Sequence, residues 1–489
     1  MTAQTVSKQL EKARAYENEH KIDASEKPAF HYAAPVGWIN DPNGFSWFDN
    51  EAHLFAQYHP YSSEWGPMHW AHQTTKDFIV WNLKPCALAP DQPYDDKGCF
   101  SGSAIEDDGK HVLMYTGVSM SEEGERQQQC IAIGDGIEYE KLECNPVVGT
   151  NLLPDGCSKV DFRDPKLWKE NGKYYVVTGS RADDGCGQIL VFESENLTDW
   201  KLETIMAKSE KRLGYMWECP DFFYLEDKPI LILSPQDMRA KGYSWHNGHN
   251  TAWITGEMKD HTFENWSAKP LDFGLDFYAP QTMAAPDGRR ILIAWMASWD
   301  NPLMKNNKWA SQMTLPRELT IENGMMMQRP VRELEAYKVP VLHVGSQTIS
   351  GKFTHEDLKG RCSELDLHIE EGDYETMTIV LAKDPEQGYE TRLVIDNRKK
   401  LIEFDRTWAG IHNDFNTIRR APMHEQGVKD LRILLDRHSI EVFVNDGEMV
   451  MTNAIMTPAE ADQIELIVDG SATMDIDLFA IDTNRQHSC

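Results

Sequence analysis

The chain has 489 residues, more than one ordinary hydrophobic core accommodates, which predicts at least two domains. Its 78 acidic and 49 basic side chains give a formal net charge of −29, which argues against nucleic acid and anionic membrane surfaces as partners. No apolar stretch approaches the ~18 residues that a membrane-spanning helix needs.

The N-terminal residues and the cysteines indicate the cellular compartment of the protein. Residues 1–27 are charged and lack the apolar segment of a signal peptide. The nine cysteines include no CxxC pair, which favours free thiols in a reducing compartment. We therefore expect a cytoplasmic protein, or a secreted one if a leader was removed before residue 1. Because residues 3–20 contain no Gly or Pro, residues 1–27 are predicted to form a helical extension.

From residue 28 onward the pattern changes to short apolar runs bounded by Gly, Asn, Asp and Pro. Examples are residues 53–58, 173–178 and 230–233. They have the length of strands and no helical crossovers separate them, which predicts an all-β fold.

A weak internal repeat indicates which all-β fold this is. The sequence TKDFIVW at residues 75–81 resembles SENLTDW at residues 194–200, 119 positions later. Two repeats of about 60 residues would span that offset, and about 60 residues is the size of a four-stranded propeller blade with long loops. Residues 28–335 are therefore predicted to form a five-bladed β-propeller.

After a short connector near residues 329–334, a second all-β region begins. Its runs at residues 365–369, 431–435 and 440–444 read as strands, and Asn445-Asp446-Gly447 is a hairpin signal. Residues 336–489 are predicted to form a β-sandwich with an accessory role.

Three acidic residues have unusual local sequences. Asp41 and Asp164 each directly precede a proline, and Glu218 lies two positions before one. Pro42 and the following Asn-Gly pair predict a stiff turn after Asp41. The separations of 123 and 54 residues correspond to about two blades and one blade. Equivalent positions of a propeller converge on its axis, so the three carboxylates are expected to meet in one pocket.

Three converging carboxylates are suited to glycoside hydrolysis. One must attack or stabilise the anomeric carbon while a protonated acid donates to the leaving oxygen. Neighbouring carboxylates shift each other's pKa values apart, which lets one stay protonated near neutral pH. The alternatives are structural: Asp164 as a strand-end ion pair with Arg163, and Glu218 as a surface carboxylate beside a buried Cys219.

The segments around these acids resemble glycoside hydrolase family 32, the family of invertases, sucrose-6-phosphate hydrolases and fructan hydrolases. The resemblance rests on these segments: WINDPNG at 38–44, QYHP at 57–60, WGPMHW at 65–70, FSGS at 100–103, FRDPK at 162–166, WECP at 217–220, TLPREL at 314–319 and LDRHSIEVF at 435–443. It implies a five-bladed β-propeller followed by a β-sandwich.

The resemblance also implies an activity. The chain would be a retaining β-fructofuranosidase that acts on sucrose or sucrose 6-phosphate through a covalent fructosyl-enzyme. Asp41 would be the nucleophile, Glu218 the acid/base and Asp164 the transition-state stabiliser.

The resemblance further implies a substrate-binding shell, in which Arg163 would keep Asp164 ionised. We also hypothesise that Cys219 tunes the pKa of its neighbour Glu218. The expected shell comprises Trp38, Ile39, Asn40, Gln57, Trp65, Phe100, Ser101, Arg163, Cys219 and Trp295.

Other functions share these features. A fructan hydrolase or fructosyltransferase would use the same carboxylates, and a sugar-binding protein without catalysis would lack one of them. The pairs His69/His72 and His246/His249 have HxxH spacing but no third ligand at helical spacing, so we expect no metal and no cofactor. The expected partner is a small sugar, with the protein as a monomer or homodimer.

Overall fold

The computed structural model describes residues 6–209, 213–301, 305–411 and 415–485. Helix α1 (Lys8–Glu19) begins at Ser7, whose side-chain oxygen accepts a hydrogen bond from the backbone N–H of Leu10. Its residues Leu10 and Ala13 are buried, and a short 3₁₀ turn (Ala24–Glu26) follows. No helix in the described ranges has the length and apolar character needed to cross a bilayer.

The described residues between 37 and 330 form five antiparallel four-stranded sheets, the blades of a propeller. The strands of blades one to three are β1 (Gly37–Phe48), β2 (Glu51–His59), β3 (His69–Thr75), β4 (Asn82–Leu88); β5 (Gly98–Asp107), β6 (Lys110–Ser121), β7 (Gly124–Gly134), β8 (Tyr139–Lys141); and β9 (Cys157–Glu170), β10 (Lys173–Ala182), β11 (Gly187–Ser194), β12 (Trp200–Lys208). Those of blades four and five are β13 (Trp217–Leu225), β14 (Lys228–Pro235), β15 (Ala252–Lys259), β16 (Thr262–Pro270); and β17 (Tyr278–Ala284), β18 (Arg290–Trp295), β20 (Arg317–Glu322), β21 (Met325–Pro330). The two-residue strand β19 (Trp309–Ala310) pairs in parallel with β1.

The predicted repeat is present in the structure. Thr75 ends the third strand of blade one and Ser194 ends the third strand of blade three. In both turns a side-chain oxygen two residues later, on Asp77 or Asn196, accepts backbone N–H bonds. The all-β prediction and the five-bladed propeller are thus confirmed.

The C-terminal region is a nine-stranded sheet folded into two layers. The long strands β23 and β30 pair along most of their length; the first part of β23 also pairs with β27 and its last part with β24. Apolar residues of both layers form one core, which confirms the predicted β-sandwich. The strands are β22 (Lys338–Phe353), β23 (Ser363–Asp384), β24 (Tyr389–Asp396), β25 (Leu401–Trp408), β26 (Ile418–Pro422), β27 (Asp430–Leu435), β28 (Ser439–Val444), β29 (Met449–Ala454) and β30 (Gln463–Ile481).

Buried ionic groups join the sandwich to the propeller. His31 lies between Asp436 and Glu441 of the sandwich, with ring nitrogen–oxygen distances of 2.7 and 2.8 Å. Glu441 also accepts a 2.5 Å hydrogen bond from Arg317 of β20. The segment at 435–443, which carries part of the sequence resemblance, therefore serves the contact between domains.

Candidate active site

The innermost strands of the five blades lie side by side, and β17 returns to β1, so the ring is closed. Each of them shifts register at an equivalent place: after Ile39, Phe100, Arg163, Glu218 and Tyr278. A β-bulge re-aims the side chains beside it. The five bulges turn side chains from all five blades into one pocket at the axis.

Asp41 lies at the bottom of this pocket and is buried. Its Oδ2 accepts hydrogen bonds from Ser101 Oγ at 2.6 Å and from Gln57 Nε2 at 3.2 Å. Its Oδ1 accepts one from Asn40 Nδ2 at 3.1 Å, and the indole of Trp38 fixes Asn40 in turn, at 2.8 Å. Burial raises the pKa of Asp41 above its usual value, while the Ser101 hydrogen bond opposes that shift.

Asp164 faces Asp41 from blade three. Its backbone φ is +65°, an uncommon conformation for a residue other than glycine, and its backbone N–H donates to Thr116 at 2.9 Å. Its Oδ2 accepts the backbone N–H of Cys219 at 2.9 Å. Burial raises the pKa of Asp164 to about 7; the charge of Arg163 opposes this shift and that of Glu218 adds to it.

Glu218 is held by donors on both carboxylate oxygens. Arg163 donates to Oε1 from Nε at 3.0 Å and from Nη2 at 2.9 Å. Tyr278 donates to Oε2 at 2.6 Å and also lies 3.3 Å from the carbonyl oxygen of Ser234. The hydroxyl of Tyr278 therefore has a second acceptor when Glu218 carries a proton.

The pocket above these carboxylates has a volume of about 440 Å³. Trp65, which is 50% exposed, meets Phe100 edge to face, and Trp299 also lines the pocket. The lining consists of Asn40, Asp41, Gln57, Trp65, Phe100, Glu125, Gln127, Val160, Asp161, Arg163, Asp164, Glu218, Gln236, His249 and Trp299. An apolar rim over convergent acids is the geometry of a sugar-binding active site.

Two family models match consecutive parts of the chain. The glycosyl hydrolases family 32 N-terminal domain matches residues 31–330, and the family 32 C-terminal domain matches residues 333–482. The chain belongs to glycosyl hydrolase family 32. It is a glycoside hydrolase, as the resemblance implied.

Several family 32 proteins are similar along nearly the whole chain. A sucrose-6-phosphate hydrolase of Escherichia coli is 39% identical over 450 residues, covering 90% of this chain and 91% of that protein. A raffinose invertase of Escherichia coli is 38% identical over 454 residues, with the same coverage of 90% and 91%. The solved structure of a β-fructofuranosidase from Bombyx mori matches with a TM-score of 0.83 at 30% identity, covering 96% of this chain and 98% of that one.

The structure brings most residues of the predicted shell together, but not all. Ser101 and Cys219 lie beneath the pocket and contact Asp41 rather than lining it. Trp38 acts through Asn40, and Ile39 is buried in the propeller core. Trp295, expected in the apolar wall, is fully buried behind Trp299, which is 42% exposed and lines the pocket instead.

Two sequence expectations, about Arg163 and about the turn at Asp41, are wrong, while the tuning of Glu218 by Cys219 stays a hypothesis. Arg163 binds Glu218, and its charge does not keep the pKa of Asp164 low, because burial outweighs it. The thiol of Cys219 lies 3.4 Å from Asp41 and 3.5 Å from Asp164, so it acts on those carboxylates. Asp41 is not in a turn, since residues 41–44 continue strand β1, where Gly44 has a φ of +56°.

The sequence patterns do not predict Tyr278 and Trp299 as site residues. Tyr278 has a signal: it lies 60 positions after Glu218, two before a proline, in the repeat that places Glu218. The histidines of the HxxH pairs have separate partners; His72 meets His53, while His249 meets Asp300. Within the described ranges, the side chains that could jointly hold a metal ion are Asp41, Asp164 and Cys219, which belong to this site.

Proposed function

We propose that the chain is a retaining β-fructofuranosidase that releases fructose from sucrose or sucrose 6-phosphate. The observation that carries the proposal is the meeting of Asp41, Asp164 and Glu218 at the bottom of one pocket, each held by fixed donors. A sugar-binding protein without catalysis is expected to lack one of these carboxylates, and here all three line the pocket.

In the first step an oxygen of Asp41 bonds to C2 of the fructosyl unit as the glycosidic C2–O bond breaks. Glu218 gives its proton to the departing oxygen. Trp38, through Asn40, and Ser101 hold the attacking carboxylate in place, and small misplacements of a reacting group are costly. Asp164 stabilises the positive charge that develops on the sugar ring.

In the second step Glu218, now a carboxylate, takes a proton from water. The water oxygen bonds to C2 and the C2–O bond to Asp41 breaks, which releases fructose. Tyr278 suits both steps, because its hydroxyl can donate to the carboxylate form of Glu218 or to the carbonyl oxygen of Ser234. Burial raises the pKa of Asp164 to about 7, and the charges of Glu218 and Asp41 add to this shift.

The roles of Asp41 as nucleophile and Glu218 as acid/base are tested with the variants Asp41→Asn and Glu218→Gln, which keep the shape of each side chain. Each should lower kcat for sucrose about 10³-fold or more. On a fructoside with a good leaving group, which departs without an acid, azide should rescue Glu218→Ala and give a fructosyl azide of retained configuration. Full activity of Asp41→Asn would remove Asp41 as the nucleophile.

The anomeric configuration of the product gives an independent test of the double displacement. Wild-type enzyme acting on sucrose in dilute methanol should form methyl β-fructofuranoside, identified by NMR before other products accumulate. The α-anomer as first product would contradict the double displacement. Comparing kcat/KM for sucrose, sucrose 6-phosphate and short fructans, with and without sugar acceptors, separates hydrolysis of sucrose from the fructan hydrolase and fructosyltransferase alternatives.

A further inference from the structure

Residues 271–277, here called the strap, connect β16 to β17 and end one residue before Tyr278. The strap is bound to the sandwich along its length. The backbone N–H of Phe273 donates to Val450 at 2.8 Å and that of Asp276 to Thr452 at 3.0 Å. These bonds add the strap to the edge of strand β29, so a propeller connection is built into the sandwich.

Side chains strengthen this attachment. The Thr452 backbone N–H and hydroxyl donate to Asp272 at 3.0 and 2.5 Å, and Asn453 accepts the backbone N–H of Leu275 at 3.0 Å. At Gly274 the two backbones approach so closely that an added Cβ would lie 2.0 Å from the carbonyl oxygen of Thr452. The position of the strap is therefore fixed by the sandwich.

Arg406 of β25 fixes the end of the strap nearest the active site. Its guanidinium is fully buried and pairs with Asp276, which is also buried. Asp276 in turn accepts the backbone N–H of Ala454 at 2.7 Å, and Arg406 donates to the carbonyl oxygen of the same residue at 2.6 Å. A buried charge pair with added hydrogen bonds is rigid, because either partner alone would be left uncompensated.

Two residues after Asp276, Tyr278 donates its 2.6 Å hydrogen bond to Glu218. We propose that Arg406, a sandwich residue, is a positioning residue for the active site: through Asp276 it sets where the hydroxyl of Tyr278 meets Glu218. This inference rests on the proposed role of Glu218 as acid/base. It gives the sandwich a part in catalysis besides the accessory role expected from the sequence.

The test is Arg406→Lys, which keeps the charge but loses the planar fork that holds Asp276. We expect kcat/KM for sucrose to fall about 10-fold with KM little changed, since a group displaced by a fraction of an ångström loses efficiency. The alkaline limb of the pH profile should move to higher pH, because a hydrogen bond that favours the carboxylate form is weakened. The other titratable groups around Glu218 stay in place: Asp41, Asp161, Arg163, Asp164, Cys219 and His249.

Two further measurements separate positioning from a merely structural role. A fructoside with a good aryl leaving group needs little protonation, so Arg406→Lys should impair its hydrolysis much less than that of sucrose. In a Tyr278→Phe background, Arg406→Lys should leave the alkaline limb where Tyr278→Phe puts it. The control is Arg432→Lys, another sandwich arginine, which binds Glu335 and Glu364 and does not touch the strap.

A crystal structure of Arg406→Lys gives a readout without activity: the distance from Tyr278 Oη to Glu218 should exceed 2.6 Å. If Arg406→Lys does not fold, the double variant Arg406→Met/Asp276→Asn removes both charges and is measured in the same way. A lower melting temperature with an unmoved alkaline limb and equal losses on both substrates would overturn the proposal. Wild-type enzyme that releases no fructose from any fructoside would instead contradict the proposed function.

Discussion

Arg163 lies on blade three and binds Glu218 on blade four. Its Nε and Nη2 both donate to the same carboxylate oxygen, at 3.0 and 2.9 Å, and the pair is largely sheltered from water, with 11% and 14% of the two side chains exposed. Charge-assisted hydrogen bonds of this kind are strong where water is excluded. Because both donors meet one carboxylate oxygen, Arg163 fixes the position of the Glu218 carboxylate between two blades.

The first prediction concerns Arg163→Lys. A lysine supplies one ammonium in place of two converging N–H groups, so we expect kcat/KM to fall about 10²-fold. The control is Arg181→Lys: Arg181 is 47% exposed and pairs with Asp161 at the rim, and exposed pairs contribute little. An equal kcat/KM in the two variants would contradict this role of Arg163.

The second prediction concerns Cys219. Its thiol faces Asp41 and Asp164, so Cys219→Ala should move the acid limb of the pH profile to higher pH and leave the alkaline limb in place. The reason is that removing a donor from the carboxylate of Asp41 raises the pKa of that group further.

The variant Ser101→Ala is the reference for the size of the shift in the acid limb. The hydroxyl of Ser101 lies 2.6 Å from Asp41, whereas the thiol is a weak donor at 3.4 Å. We expect the acid limb to move by about one pH unit in Ser101→Ala, since a hydrogen bond to a charged group contributes about 1.5 kcal/mol. The shift in Cys219→Ala should be smaller. A larger shift for Cys219→Ala, or one on the alkaline limb, would contradict the observed contacts.

The features that could be predicted from the sequence are those that recur from blade to blade. Asp41, Asp164 and Glu218 recur at blade spacing beside prolines, and this spacing alone predicted that they meet. It did not indicate side-chain direction within the bulges. Cys219 is adjacent to Glu218 in sequence, but successive residues of a strand face opposite sides, and a φ of +49° at Cys219 turns it further.

Contacts between elements distant in sequence were also not predictable. Arg163 pairs with a residue 55 positions away, and Trp299 takes the place expected of Trp295 only because the chain leaves β18 between them. Such contacts depend on how blades pack, and no local pattern specifies that packing. Tyr278 is the exception, since the repeat that locates Glu218 also locates Tyr278.

The third prediction concerns phosphate on the substrate. Glu125 lines the mouth of the pocket, where Asp161 is already paired with Arg181. Arg163 and His249, also in the lining, pair with Glu218 and Asp300. A phosphate dianion would meet negative charge there, so we expect a higher kcat/KM for sucrose than for sucrose 6-phosphate. Glu125→Gln should raise kcat/KM for sucrose 6-phosphate several-fold relative to sucrose.

The substrate ratio should depend on salt, because charges at a solvent-exposed mouth are screened. Measuring both substrates at low and high ionic strength checks this. Glu138→Gln, at an acid on the outer strand region of blade two that pairs with Arg14, is the control and should leave the ratio unchanged. A wild-type preference for sucrose 6-phosphate that Glu125→Gln does not alter would contradict the inference that negative charge at the mouth of the pocket disfavours phosphate.

The fourth prediction concerns His31, which joins the propeller to the sandwich. Both of its ring nitrogens face carboxylate oxygens, of Asp436 and Glu441, so both must donate and the ring is an imidazolium. Burial lowers the pKa of His31, but these hydrogen bonds outweigh it and raise the pKa to about 9. In the unfolded chain its pKa is about 6.5. The stabilisation is therefore complete below about pH 6.5 and is lost as the pH rises through about 9.

Replacing His31 by Gln should remove this dependence. At pH 6 the free energy of unfolding of His31→Gln should be lower than that of wild type by about 3 kcal/mol, and the difference should shrink towards pH 9.5. Melting temperatures of both proteins across this range measure it, with His20→Gln at the exposed end of α1 as the control. A constant gap between wild type and His31→Gln from pH 6 to 9.5 would mean that His31 contributes through packing and not through its charge. If His31 stabilises the protein through its charge, the difference in free energy of unfolding between wild type and His31→Gln must shrink at high pH. Above the folded pKa of His31 the neutral ring has one N–H proton for two carboxylates.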